Sequence, residues 1–154
     1  KTVSDWMAAL SGQGQYDIGR ERLSALRESF TGGWADDQKT RAQIRAFFER
    51  TGYLLDPHTA VASAVLDGYR EKSGDFTPAV IVATASPFKF GRDVLEALGE
   101  SAMGMDDFAA CDALGARTGL TVPPQIAMLP GLPILHRETC TPGTMEDALL
   151  RVLP

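Results

Sequence analysis

Histidine and cysteine are scarce in this sequence of 154 residues, which holds two of each: His58 and His136, Cys111 and Cys140. Neither a C-x-x-C pair nor any spacing that assembles a zinc ligand set is present. His136 and Cys140 would share a helix face only if Pro133 and Pro142 did not flank them, so no metal site is expected. Positive charge is also short. Lys and Arg number 15 against 20 Asp and Glu, a net charge of 15 − 20 = −5, and no basic cluster offers the electrostatic footprint that nucleic acid requires. Long apolar runs are missing as well. The longest without proline is Ala79-Val80-Ile81-Val82-Ala83, far below the roughly 18 to 20 residues that cross a bilayer. DNA, RNA and membrane are excluded as expected partners. Two isolated thiols with no leader pattern read as reduced cysteines of a cytoplasmic protein.

What is present is ordinary globular material, 44% hydrophobic and 23% charged, enough to build a core. Lys1 to Leu10 is weakly helical. Gly12, Gly14 and Gly19 have the wrong spacing for a dinucleotide loop and follow no strand, so they read as linker. Asp17 is placed to cap a helix running to about Phe30 with Leu23, Leu26 and Phe30 on one face. Asp36 or Asp37 caps a clear amphipathic helix with Ile44, Phe47, Phe48 and Thr51 in register, closed by Gly52. Asp56-Pro57 opens another, because an Asp side chain accepts free amide groups and a proline at the first helical position wastes no donor. Its buried face is expected at Val61, Ala64, Val65, Gly68 and Tyr69.

Residues 79–83 lack polar alternation, the pattern of a parallel strand covered on both faces. Thr84-Ala85-Ser86-Pro87 then reads as a turn with Ser86 capping a helix that places Phe90, Val94 and Leu98 inward. A helix from about Met105 to Arg117, a short strand at Ile134-Leu135-His136 and a closing helix capped by Thr144 and Asp147 complete the series. One or two strands cannot satisfy their own ladder groups. The expected architecture is therefore α/β but helix-rich, a fragment whose sheet is completed by a segment missing from its N-terminus. A helical lead-in occupies residues 1–35, and helices surround the strand over 36–154.

Two polar clusters stand out: Asp56, His58 and Thr59 at one helix start, and Thr84, Ser86 and Lys89 where the strand gives way to a helix. Ligands gather at such strand ends in open α/β sheets. Thr84 and Ser86 bring hydroxyl groups, the helix start brings amide groups, and Lys89 brings charge. Neither histidine sits in a triad context.

The segments Asp56-Pro57-His58-Thr59-Ala60-Val61 and Thr84-Ala85-Ser86-Pro87-Phe88-Lys89-Phe90, with the preceding Phe-Phe-Glu-Arg-Thr-Gly-Tyr, closely resemble paired motifs of threonine synthase of the longer bacterial and fungal class. The resemblance is strong from about Asp36 to Phe90 and continues in register to the C-terminal helix. It implies the C-terminal part of a two-domain, fold-type-II pyridoxal-phosphate enzyme related to tryptophan synthase β-chain, which converts O-phosphohomoserine and water into threonine and phosphate. The family's Schiff-base lysine lies in the N-terminal part, so Lys89 is not that residue and the fragment alone is expected to be inactive, with no catalytic residue of its own. Thr84 matches the threonine whose hydroxyl meets the cofactor's pyridine nitrogen. Asp56, His58, Thr59, Ser86 and Lys89 would line the same cleft. Ser86 stands where many members have His, and Phe88 where many have Ala, departures that leave the Thr84 role intact. The alternative is a free-standing α/β module that binds an anion or a protein partner at the helix start near Ser86.

Overall fold

A computed structural model describes residues 2–135 and 137–153. Every regular element among them is helical: α1 Val3–Gln13, α2 Arg20–Arg27, α3 Asp37–Thr51, α4 Pro57–Ser73, α5 Gly91–Ala97, α6 Asp107–Thr118, α7 Pro124–Ala127 and α8 Met145–Val152, with three short 3-10 turns.

Helix starts follow local chemistry. Asp36 Oδ1 accepts from Lys39 N at 2.7 Å to open α3, and Asp106 Oδ1 accepts from Ala109 N at 2.7 Å to open α6. Gly52 ends α3 with φ of 72° and sends its N–H to Phe48 O at 2.8 Å; only glycine adopts that left-handed conformation without cost. The chain then turns into Leu54 and Leu55, both buried, before α4 begins.

The core is formed by α3, α4, α5 and α6. α3 packs on α4 and α5, and α5 packs on α6, burying Ile44, Val94, Leu95, Leu98 and Leu114 together with Leu54, Leu55 and Phe88. The inward face of α4 differs from the expected one. Thr59, Ala60, Ser63 and Ala64 are buried, whereas Val61, Val65, Gly68 and Tyr69 are only partly covered. Hydrophobicity alone misplaces this face because its polar members have partners. Thr59 bonds Asp56, and Ser63 Oγ accepts from Gln43 Nε2 of α3 at 3.0 Å. Small, satisfied side chains let two helices approach closely.

The strand expected at residues 79–83 is not formed. The segment has no regular structure, and Val80 and Val82 are 91% and 75% exposed. Nothing among the described residues pairs with its backbone, and an unpaired strand is not a stable element. The α/β class is thus corrected, for the described residues, to a helical one. Ile134 and Leu135 are likewise outside any strand and exposed, while His136, the remainder of that expected strand, lies outside the described residues.

The ends are less covered. Asp17 does not cap α2; its Oδ1 takes Gly19 N at 2.7 Å, and α2 starts without a side-chain cap. Leu23, Leu26 and Phe30 remain exposed, and α1 reaches this region through Trp6, which stacks on Tyr16 and lies under Arg22. At the other end the capping pair is Thr141 with Thr144 around a 3-10 turn, not Thr144 with Asp147. Pro142 opens that turn, its missing N–H costing nothing at a first position. Met145, Leu149 and Val152 are exposed rather than inward.

Candidate functional site

Asp56 is 2% exposed, the only carboxylate among the described residues buried to that degree. Its Oδ1 accepts from His58 N at 3.0 Å and Thr59 N at 3.3 Å, and its Oδ2 accepts from the Thr59 hydroxyl. A buried carboxylate is tolerated because three donors and the positive end of α4 converge on it. His58 Nδ1 stands 3.4 Å from the same Oδ1, with the imidazole itself 68% exposed.

The second cluster is held differently. Ser86 Oγ accepts from Phe88 N at 3.3 Å, as its capping role predicts, but the helix start is a 3-10 turn, Pro87–Phe90, followed by the seven-residue α5. The amide groups at this start are those of a 3-10 turn that runs directly into a short helix. Phe88 is buried, and its carbonyl oxygen accepts from the Cys111 thiol of α6 at 3.1 Å. Burial pushes the Cys111 thiol pKa up, with Asp112 and Asp107 adding to the effect. Gly91 packs so closely that a Cβ there would lie 3.0 Å from Cys111 Sγ. The turn is thereby fastened to α6.

On the other side, Arg41 of α3 reaches Glu96 Oε2 at 2.7 Å and Asp93 Oδ1 at 3.4 Å on α5. Its hydrogen bond to Glu96 is the main reason its pKa is raised, opposed by partial burial and helped by the nearby carboxylates of Glu96, Asp93 and Asp37. A cavity of about 200 Å³ opens here, lined by Thr40, Arg41, Ile44, Pro57, Phe90 and Asp93 among others. Larger hollows, of about 440 Å³ beside α4 and about 690 Å³ beside α8, touch neither motif.

The fold brings the two motifs together through one aromatic contact: the His58 and Phe90 rings lie 5.2 Å apart at a 54° tilt. Lys89 Nζ stands 5.8 Å from the centre of the same Phe90 ring. Thr84 is exposed and has no hydrogen-bonding partner among the described residues, so it is presented beside the cluster rather than joined to it. Cys111, Gly91 and Arg41 were missed as supports. Cys111 is legible in the sequence only as a core position of α6, since its bond to Phe88 spans 23 residues. No group of three His, Cys, Asp or Glu that could hold a metal occurs among the described residues, and no helix among them is long and apolar enough to cross a membrane.

The fold is similar to part of a PLP-bound threonine synthase from Brucella melitensis, with a TM-score of 0.56 and 35% identity over 73% of this chain and 23% of that one. The likeness is thus to one part of a longer enzyme chain. Residues 59–129 match the family model described as "Threonine synthase, C-terminal", and that match, the relatives and the fold together support a threonine synthase C-terminal part. Relatives include threonine synthase of Corynebacterium glutamicum, 29% identical over 70% of this chain and 23% of that protein, and human threonine synthase-like 1, 33% identical over 58% and 12%. The chain spans under a quarter of the length of these relatives.

Proposed function

We propose that this chain completes the cofactor site of a threonine synthase, an enzyme that converts O-phosphohomoserine and water into threonine and phosphate in threonine biosynthesis, in the cytoplasm. The observation that carries this reading is Thr84: an exposed hydroxyl without a protein partner, at the head of a turn fastened to the core. The donor set fits pyridoxal phosphate on the side of its ring nitrogen, because an unengaged neutral hydroxyl is the group that such a nitrogen can bond. Pyridoxal phosphate, when bound, supplies an electron sink for chemistry next to the amino-bearing carbon. Thr84 would hold the ring nitrogen without a carboxylate's tendency to keep it protonated, which tempers that sink. Asp56, His58, Thr59, Ser86 and Lys89 would line or support the same cleft.

The lysine that carries the cofactor is assigned to the N-terminal part of the complete enzyme, so residues 1–154 alone are expected to release no phosphate from substrate. Residues 1–35 form a lead-in, and the exposed apolar segment 79–83 pairs with a sheet that the N-terminal part supplies. The likeness to a protein named threonine synthase-like leaves the phosphorylated substrate as the point to test. In the complete enzyme, Thr84→Val should lower turnover of O-phosphohomoserine about 5- to 150-fold, the equivalent of roughly 1 to 3 kcal/mol for a hydrogen bond lost with its partner left unpaired. Unchanged kcat and KM would remove Thr84 from the site.

A further inference from the structure

Between α4 and the Thr84 turn the chain is first tied down and then left free. Gly74 ends α4 with φ of 69° and sends its N–H to Arg70 O at 2.9 Å. Asp75 gathers the loop that follows. Its Oδ1 accepts from Thr77 N at 2.9 Å and from the Thr77 hydroxyl at 2.6 Å, and its Oδ2 accepts from the Tyr69 hydroxyl at 3.1 Å. Ser73 Oγ accepts from Asp75 N at 3.2 Å and donates to Tyr69 O at 2.8 Å, while Arg70 Nη2 donates to Thr77 O at 3.3 Å. The Thr77 hydroxyl is the main cause that holds the Asp75 carboxyl below the usual carboxylate range, with the Thr77 amide, Tyr69 and Arg70 adding to it.

This knot is larger than a helix end needs. Gly74 already closes α4, and hydrogen bonds between solvent-exposed groups add little to stability, so what the cluster supplies is geometry. Directly after it, residues 78–83 have no regular structure, and at the far end Ser86 caps a turn whose Phe88 carbonyl is fastened to Cys111. The free run is thus held on both sides. In a strand each residue advances about 3.3 Å and faces the opposite way from its neighbour, so a slip of one residue against a sheet carries the Thr84 hydroxyl to the other face. Ala79-Val80-Ile81-Val82-Ala83 is apolar throughout and has no alternation of its own to forbid that slip. Its register must be set from its ends. With the far end fastened, a slip needs slack from the near end, and the Asp75 knot withholds it.

We propose that Asp75 is a positioning residue for Thr84: by tying Thr77 to Tyr69 it sets the register in which residues 79–83 join the sheet of the complete enzyme, and with it the face on which the Thr84 hydroxyl stands. This inference rests on the threonine synthase reading above, and it assigns Asp75 no contact with substrate or cofactor. The carboxylate acts only through the strand that it leads into.

The test uses the complete enzyme loaded with pyridoxal phosphate and a double-mutant cycle of Asp75→Ala with Thr84→Val. Asp75→Ala should lower kcat for O-phosphohomoserine about tenfold, the scale of loss that a misplaced contact produces, and should speed amide exchange at residues 79–83. Asp75→Asn keeps an acceptor for Thr77 and should recover most of that loss. In the Thr84→Val background the same Asp75→Ala change should lower kcat by less than about twofold, because the residue through which it acts is gone. A loop with a merely structural role gives equal factors in both backgrounds. That outcome overturns the inference, as does a kcat within about twofold of the parent in Asp75→Ala. If Asp75→Ala does not fold, Thr77→Val takes its place in the cycle, with the same expected and overturning results. A parent enzyme that binds no pyridoxal phosphate, or a Thr84→Val enzyme with unchanged kcat and KM, would instead overturn the functional reading on which the inference rests.

Discussion

The Cys111 thiol donates to a buried carbonyl and is surrounded by core side chains and two helix carboxylates, so its charged form is disfavoured. Its folded pKa is raised above the ordinary 9.0. The folded state then holds this proton when the unfolded chain has lost it, so the stability contributed is fully present below about pH 9 and falls as pH rises through the folded value. Urea midpoints measured from pH 8 to 10 should decline less in Cys111→Ala than in the parent. Under native conditions near pH 8, iodoacetamide should modify exposed Cys140 and spare Cys111, with denaturant restoring Cys111 to full reactivity. Gly91 faces the same sulfur. Gly91→Ala brings a Cβ to 3.0 Å from Cys111 Sγ and 3.3 Å from the Cys111 backbone nitrogen. The second contact cannot be relieved by a rotamer change, so denaturant unfolding should show a loss of about 1 to 3 kcal/mol.

Among the elements, α4 depends most on its first residue. Asp56→Ala removes the cap of two amides and leaves the buried Thr59 hydroxyl without its acceptor, and thermal or denaturant melting should register a loss of roughly 2 to 4 kcal/mol. Arg41→Met, by contrast, should change stability by less than about 1 kcal/mol, because its ion pairs with Glu96 and Asp93 are solvent-exposed. The starts of α3, α4 and the Ser86 turn were legible in the sequence because a cap is written within three residues. Helix faces were less so. The face of α4 is set by Gln43 bonding Ser63 from another helix, a partner that periodicity does not contain. At α2 and α8 the apolar stripes are real but nothing in the described residues covers them, so the pattern foretold burial that this chain does not itself provide.

For the molecule as a whole, the same reasoning explains the missing strand. An apolar run of five specifies a buried environment, and only backbone partners turn it into a strand. Amide exchange offers a direct check on the sheet reading: residues 79–83 should exchange within seconds in the isolated chain and be protected in the complete enzyme. Equal, fast exchange in both would remove the pairing. The candidate site was legible as two clusters but not as one place, since the His58–Phe90 contact that joins them and the Cys111 bond behind it depend on how α5 and α6 pack. That packing also has a kinetic meaning. α3 lies on α4 and α5 on α6, each pair adjacent in sequence, while the contact of α3 with α5 joins the two pairs over a longer range; the adjacent pairs are the kind of contact that forms toward the microsecond-to-millisecond regime. Joining the two pairs must close the loop that runs from α3 through α4 to α5, so the turn that carries Thr84 is fastened to α6 by a nearer contact than the one that brings it to α3.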